Sequence, residues 1–425
     1  MRKTSKLLAL AISAIMLFGV LTACGGQTTG AGSQEKVTIK FASWSARGNA
    51  VNSKDYIDYF QEANPNIKID FMAITEGNYQ EKLTTMVAAK TAPDVMLAWE
   101  CFIGEYAKNK SIIQLDDYIK KTNAFKVDDL VPAVTVLGQQ TGGTFGLPWC
   151  MAAELAYYNK DMFDKAGVAY PKDDWTWKDF EDMAKKLTIV QDGKTVQWGA
   201  DAISFQGIWY STIGATGENI IDKDNKVVLG EGAKKALQWE YDLTNTLKVC
   251  PPPSASGTNA VDLFSAGKAA MTRTGNWMIG TYMGIKDFKW DIVPLPKDSR
   301  QYTTTHTGLY CISADSKYKD AAWKFIEYSM GDKGQEEINK QSSNASARKS
   351  ITAKGFYKVT GANGSPTNWK AYEDSLAFGQ FGYAMANSGV TNAGVSNFNA
   401  ALMGQMTVDE AIQKTNDEAN KVAAP

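Results

Sequence analysis

One histidine, His306 in "TTTHTG", serves a chain of 425 residues that carries 45 basic and 46 acidic side chains. In a zinc site of the usual kinds, or in a Ser-His-Asp triad, that imidazole would have to serve alone, which argues against both. Cys101, Cys150, Cys250 and Cys311 are scattered singly without CxxC spacing. That pattern suits buried thiols better than a metal site or a disulfide framework, although one or two disulfides stay open outside the membrane. Glu76, Glu100, Asp201 and Glu218 are available for acid–base work, and a glycoside hydrolase would need two carboxyl groups roughly 5–9 Å apart. Nothing in the sequence pairs any two of them. The formal net charge of −1 provides no field for nucleic acid, and no basic stripe is present. The sequence therefore predicts no catalytic residue, no metal and no cofactor.

Aromatic residues are the more informative group, with 12 Trp and 18 Tyr in a nearly neutral chain. "KVTIKFASW" alternates apolar and polar positions like a strand, and Trp44 closes it before the loop "SARGN" with Arg47. "APDVMLAWE" is a short apolar run ending at Trp99 and Glu100, and "GTFGLPW" delivers Trp149 in the same way. Strands that end in an aromatic beside a polar group line the crevice at the carboxyl edge of an open α/β sheet, where ligands of that architecture bind.

The elements between these strand ends are helical. "SKDYIDYFQEANPN" has apolar residues at helical spacing and stops at Asn64-Pro65, as the steric restriction before proline predicts. "NYQEKLTTMVAAKTAPD" repeats the pattern, so strand, helix, strand, helix, strand implies a βαβ layer. A second series follows: "ELAYYN" as strand, "KDMFDKAG" as a short helix, and "TWKDFEDMAKKLT" as a helix entered at Thr176. "VDLFSAGKAAMTRTGNW" reads as helix, glycine turn, strand and a loop at Gly275. The chain thus builds two α/β lobes in succession.

The amino terminus has a separate logic. Arg2, Lys3 and Lys6 precede "LLALAISAIMLFGV", which fits a signal-peptide core and is short of the roughly twenty apolar residues of a membrane span. "LTAC" at positions 21–24 resembles a bacterial lipobox, in which the thiol of Cys24 takes a lipid and becomes the first residue of the mature chain. A soluble secreted protein with an incidental Cys24 is the alternative. Residues 1–23 then read as a lipoprotein signal peptide, and the Gly-, Thr- and Ser-rich residues 24–35 as a flexible tether.

Eight segments in order carry a resemblance: "YFQEANPNIKIDF", "YQEKLTTMVAAKTAPDV", "GLPW", "LAYYNKDMFDKAG", "WTWKDFEDMAKKLT", "FSAGKAAMTRTGNW", "AAWKFIEYSM" and "TVDEAIQKTNDEAN". From about Val37 to Asn420 the chain resembles the family 1 extracellular solute-binding proteins of ATP-binding-cassette sugar importers. The resemblance implies an α/β fold of the periplasmic-binding-protein type, a type II clamshell whose two lobes are joined by crossing hinge strands. By the family pattern the first lobe takes residues 36–151 and 313–345 and the second 152–308 and 350–425, with crossings near "CMAAEL", "GLYCIS" and "ASARKS". It further implies a mono- or oligosaccharide ligand, permease subunits of an ABC importer as partners, a monomer, and lipid anchoring on the outer face of a Gram-positive cell membrane.

Sugar chemistry suits these residue types. An indole covers the C–H face of a pyranose, at about 25 cal/mol per Å² of apolar area removed from water, while charged and polar side chains orient the hydroxyl rim. Glu100 is the leading polar contact, against a plain role as a carboxylate in a first helical turn. Trp277 in "GNW" resembles the family's stacking tryptophan, Trp209 and Tyr210 its second-lobe aromatic wall, and Tyr383 its last contacts. Trp44 and Trp149 join them by strand-end position. His306 lies in a polar loop beside a crossing strand, where a lone histidine is more often solvated. Arg47, Trp99 and Arg348 complete the set. Other expectations are a receptor of the same fold for a peptide or a chelate, and a cell-surface glycoside-active enzyme.

Overall fold

A computed structural model describes residues 36–44, 55–131, 138, 141–203, 206–222, 226–253, 262–380 and 388–422. Cys24, Arg47 and Tyr383 lie outside the described residues. Two larger sheets organise the described residues, the first mixed and the second antiparallel throughout. The first begins with β1 (Val37–Ser43), whose apolar face is buried. The helix Tyr56–Ala63 returns the chain to β2 (Ile67–Ala73). Asp55 starts that helix with a capping box: its carboxylate accepts from the amides of Ile57 and Asp58, and Asp58 accepts from the amide of Asp55. This satisfies donors that a helix start otherwise leaves unpaired. The helix Glu76–Ala88 then leads to β3 (Val95–Trp99). Strands β1 and β2 pair in parallel from Val37↔Ile67 to Ser43↔Ala73, and β1 and β3 pair in parallel at Phe41↔Val95.

Later chain completes both sheets. The strands are β4 (Leu147–Pro148), β5 (Cys150–Asn159), the exposed hairpin β6 (Ile189–Gln191) and β7 (Lys194–Gln197), β8 (Met271–Gly275), β9 (Trp290–Val293), β10 (Thr305–His306), β11 (Gly308–Ile312) and β12 (Ala345–Ser346). The first sheet has the order β2-β1-β3-β11-β4. The second is built on β5, all ten of whose residues are buried. β5 pairs antiparallel with β12 and β10 in its first half and with β8 and β9 in its second. A strand with neighbours on both edges and cover on both faces has no solvated side, which fits a sequence in which Glu154 is the one charged residue.

The chain changes sheet in very short steps. Trp149 alone separates β4 from β5, and Thr307 alone separates β10 from β11. These two connecting residues are tied to their surroundings: the Trp149 amide donates to the Gly308 carbonyl at 3.0 Å, and the Thr307 hydroxyl donates to the Cys150 carbonyl at 2.7 Å.

Each sheet has its own packed core. Under the first, Phe41 meets Phe325 of the helix Lys319–Met330 at 5.0 Å between ring centroids. Beside the second, Trp177 of the helix Trp177–Leu187 stacks on Trp239 of the helix Glu231–Tyr241 at 4.4 Å. Arg273 of β8 lies 5.0 Å from the Trp239 ring and makes a bidentate pair with the buried Glu240, at 2.6 and 2.8 Å. Cys101, Cys150, Cys250 and Cys311 are all buried, and none of them is in a disulfide.

The helix expected at the start of "VDLFSAGKAAM" is not formed among the described residues. Leu263–Gly267 is a single turn closed by Gly267 at φ +64°, a conformation that ends rather than continues a helix. Asp201 holds it by accepting from the Leu263 amide at 2.8 Å.

Candidate functional site

The parallel strands of the first sheet all run to one edge, and there the expected tryptophans meet. Trp44 follows β1, Trp99 ends β3 and Trp149 follows β4; all three are half-buried. The Trp44 ring lies edge-on to Trp99 at 6.0 Å and to Trp149 at 6.4 Å, in the T-shaped arrangement that ring quadrupoles favour. Tyr79 supports Trp44 from behind at 5.2 Å. It is fully buried, and its hydroxyl donates to the carbonyls of Leu97 and Ala42, tying the ends of β3 and β1 together. Burial pushes its phenol far above the usual range.

Glu100 comes one residue after β3 and opens a 3-10 turn over Glu100–Phe102. The residue is 6% exposed, and its carboxylate points at His306: Oε1 lies 3.1 Å from Nδ1. The other ring nitrogen, Nε2, is 2.8 Å from Oε1 of Glu154, which is completely buried in β5. The second oxygen of Glu154 accepts from the Ser211 hydroxyl, and Ser211 also meets Thr304 at 3.1 Å. His306 is therefore not the solvated loop residue that its neighbours in sequence suggest. It is buried between one carboxylate from each sheet. Burial pushes its pKa down, but the hydrogen bonds and charges of Glu100 and Glu154 outweigh this and raise it to about 9.

Trp277 stands beside this group, with its ring centroid 5.9 Å from that of His306 and the planes at 77°. The indole folds back over Gly275, where a Cβ would lie 2.0 Å from the ring, so only glycine fits under it. Between them Asn276 is wholly buried: its Oδ1 accepts from the Ala153 amide at 3.0 Å, and its Nδ2 donates to Asn344 at 2.7 Å and to the Ser343 carbonyl at 3.1 Å. This residue clamps the loop before Trp277 to β5 and to the segment entering β12.

The structure thus brings together Trp44, Trp99, Trp149, Glu100, His306 and Trp277, and separates the other described residues of the expected set. Trp209 and Tyr210 lie on the helix Gln206–Ala215, are 3% and 1% exposed, and pack into the hydrophobic core, with Trp209 at 5.2 Å from Phe398. Residues 207–215 of this helix are all buried, and its polar Ser211 and Thr212 are satisfied inside the protein, by Glu154 and by the Ile208 carbonyl; the helix packs into the core rather than forming a wall of the site. Arg348 is engaged as a brace. Its Nε is 2.8 Å from Asp129 and its Nη1 2.5 Å from Asp332, and it is 8% exposed. Two of the carboxylates weighed for acid–base work have structural partners instead. Asp201 holds the turn at Leu263, with burial raising its pKa to about 6. Glu218 accepts from the amides of Gly230 and Gly232, both at 2.7 Å, at the start of the helix Glu231–Tyr241. Sequence reasoning missed Glu154 and Asn276. Both are polar residues inside or directly after apolar strand segments, and a buried polar group must find partners.

The family model described as bacterial extracellular solute-binding protein matches residues 48–336. A binding protein of Brucella abortus, named without a ligand, is 24% identical over 276 residues, 63% of this chain; the match spans 66% of that relative's length, slightly under two thirds. The arabinooligosaccharide-binding protein of Bacillus subtilis is 24% identical over 345 residues, 77% of this chain and 76% of that one. Among solved structures, an ABC substrate-binding protein from Listeria monocytogenes in complex with cycloalternan is similar at a TM-score of 0.81 and 26% identity, over 91% of this chain and 99% of that chain. The two sheets and their helices match the two-lobed fold of such proteins.

Proposed function

This chain belongs to the bacterial extracellular solute-binding proteins, and on that premise we propose that it is a carbohydrate receptor that hands its sugar to the permease of an ABC importer. The observation that carries the reading is the edge of the first sheet, where three half-buried indoles and the Glu100 carboxylate stand together and Trp277 of the second sheet's loop is linked to them through His306. Indole faces suit the C–H face of a pyranose, and a carboxylate suits its hydroxyls. The protein acts by binding, and the family is one of receptors rather than enzymes.

We assign the sugar contacts to Trp44, Trp99, Glu100, Trp149 and Trp277, with Arg47 and Tyr383 as further contacts from outside the described residues. The lobes take residues 36–151 and 313–345, and 152–308 and 350–425. The changes of sheet at Trp149 and Thr307 support that division. Cys24 carries the lipid that keeps the receptor, as a monomer, on the outer face of a Gram-positive membrane after removal of residues 1–23. None of the described helices is long and apolar enough to cross a membrane.

The experiment is calorimetry on a panel of neutral oligosaccharides, including an arabino-oligosaccharide and cycloalternan, with reducing ends assayed in the same samples. Heat with no release of reducing ends is the expected result. Release of reducing ends, or heat only from peptides or chelates, overturns the reading.

A further inference from the structure

Among the described residues, Glu154 is the completely buried carboxylate beside the candidate site that the sugar contacts do not use, and its position defines a role. A carboxylate can only accept hydrogen bonds, and a neutral imidazole has one donor and one acceptor. With Glu100 at 3.1 Å on Nδ1 and Glu154 at 2.8 Å on Nε2, both contacts are hydrogen bonds only when both ring nitrogens carry a proton. Losing one proton would turn a lone pair on a carboxylate inside a buried site, where an unmatched polar contact is costly.

We propose that His306 and Glu154 are positioning residues for ligand capture: the doubly protonated imidazole, braced by Glu154 from the second sheet, holds the Glu100 carboxylate in its binding orientation at the edge of the first. The proposal rests on the reading of Glu100 as a sugar contact. It makes binding depend on one proton although the sugar itself is neutral. It also places that proton on β10, two residues before the chain enters the first sheet at Gly308.

The surroundings agree. Ser211 secures the far oxygen of Glu154, and the Thr303 hydroxyl donates to the Glu154 carbonyl at 3.0 Å, so the brace is fixed on both sides. Burial lowers the pKa of His306 and the two carboxylates raise it to about 9. Other titratable groups near the triad among the described residues include Cys101, next to Glu100, as well as Cys150 and Tyr302. Burial, with Glu100 adding to it, pushes the Cys150 thiol well up. Burial pushes the Tyr302 phenol to about 12, with Arg300 opposing and Glu154 adding. Cys150 and Tyr302 stay neutral across the range in which His306 titrates. Trp277, Thr304 and Ser211 bring no charge.

Because His306 is the chain's one histidine, its imidazole signals in a proton NMR spectrum of the untagged protein need no assignment. The ligand-free titration is expected to have its midpoint near pH 9, and in E154Q to fall by one pH unit or more. Calorimetry with an arabino-oligosaccharide and with cycloalternan is then run from pH 6 to 10.5. The wild-type Kd is expected to be flat to about pH 8 and to weaken toward tenfold per pH unit above about pH 9, as loss of one proton requires. E154Q should bind more weakly and break at lower pH, while H306Q should bind more weakly with no break. A brace that served stability alone would lower Tm without moving the break. Heat at pH 7 with a Kd flat to pH 10.5, or a ligand-free midpoint at or below 6.5, overturns the proposal. No heat from either sugar at pH 7 instead counts against the sugar reading, and the ligand-free midpoint still decides whether the brace holds a proton.

Discussion

Gly308 passes so close to Trp44 that a Cβ on it would lie 2.3 Å from the indole Cη2, and 3.0 Å from Cδ1 of Trp149. Two of the indoles at the sheet edge are therefore seated against bare backbone, on the strand that follows His306. Gly308→Ala should force both rings outward. Overpacking of this kind costs about 1–3 kcal/mol, to be read as a lower urea midpoint with changed tryptophan fluorescence. An unchanged midpoint and spectrum would show that the rings have room to move and that the seat is not specific.

Trp277→Ala removes a half-buried ring whose loop is held independently by Asn276. Sugar affinity should fall by about 1.5–3 kcal/mol, the worth of one large apolar side chain taken from water, with the unliganded melting temperature nearly unchanged. Calorimetry and thermal shift on the same preparation check this. A large loss of melting temperature with intact affinity would assign Trp277 to packing.

Stability should depend on pH through His306 in a defined window. Its folded pKa, about 9, lies above the ordinary 6.5, so the folded state holds the proton more tightly. The stabilisation is fully present below about pH 6.5, declines as pH rises, and is gone above about pH 9. Its size is on the order of 3 kcal/mol from the separation of the two values. Asp201, raised to about 6 by burial, acts in a lower window with the same sign, its contribution being lost as pH rises through 6. Urea unfolding at pH 6.5 and 9.5 should show the loss in the wild type, and H306Q should show no comparable difference. Equal slopes in the two proteins would contradict the buried imidazolium.

Cys24→Ala should release the protein into the culture medium with the folded lobes intact. Two acyl chains hold a protein on a membrane where one holds it only marginally, and without the thiol neither is attached. Fractionation after a carbonate wash is the measurement. A variant that stays with the membrane refutes lipidation at Cys24.

Much of the scaffold was legible because its causes are local. The capping box at Thr176 and Asp179, the stop before Pro65, and the alternation of β1 all act within a few residues. Steric and hydrogen-bond preferences over that range do not wait for the rest of the chain. Strand ends could be read in the same way, and parallel strands necessarily bring their carboxyl ends to one edge, so Trp44 and Trp99 could be placed together before any coordinates. Trp209 and Tyr210 were placed in the site by resemblance to the family's second-lobe aromatic wall, and the structure instead buries both in the core.

The tertiary structure decided what joins residues far apart in the chain. His306 meets Glu100 across 206 positions and Glu154 across 152, and Arg348 meets Asp129 across 219. No local pattern marks such pairs, because a carboxylate bound for burial carries the same side chain as one bound for solvent. Its environment is created only when β5, β10 and the turn after β3 pack together and remove the water. By itself the sequence determined the two α/β series, their strand-end aromatics and the single imidazole. The meeting of β5, β10 and the turn after β3 decided that this imidazole would be buried between two carboxylates, since desolvation and hydrogen bonding act only once distant segments are in contact.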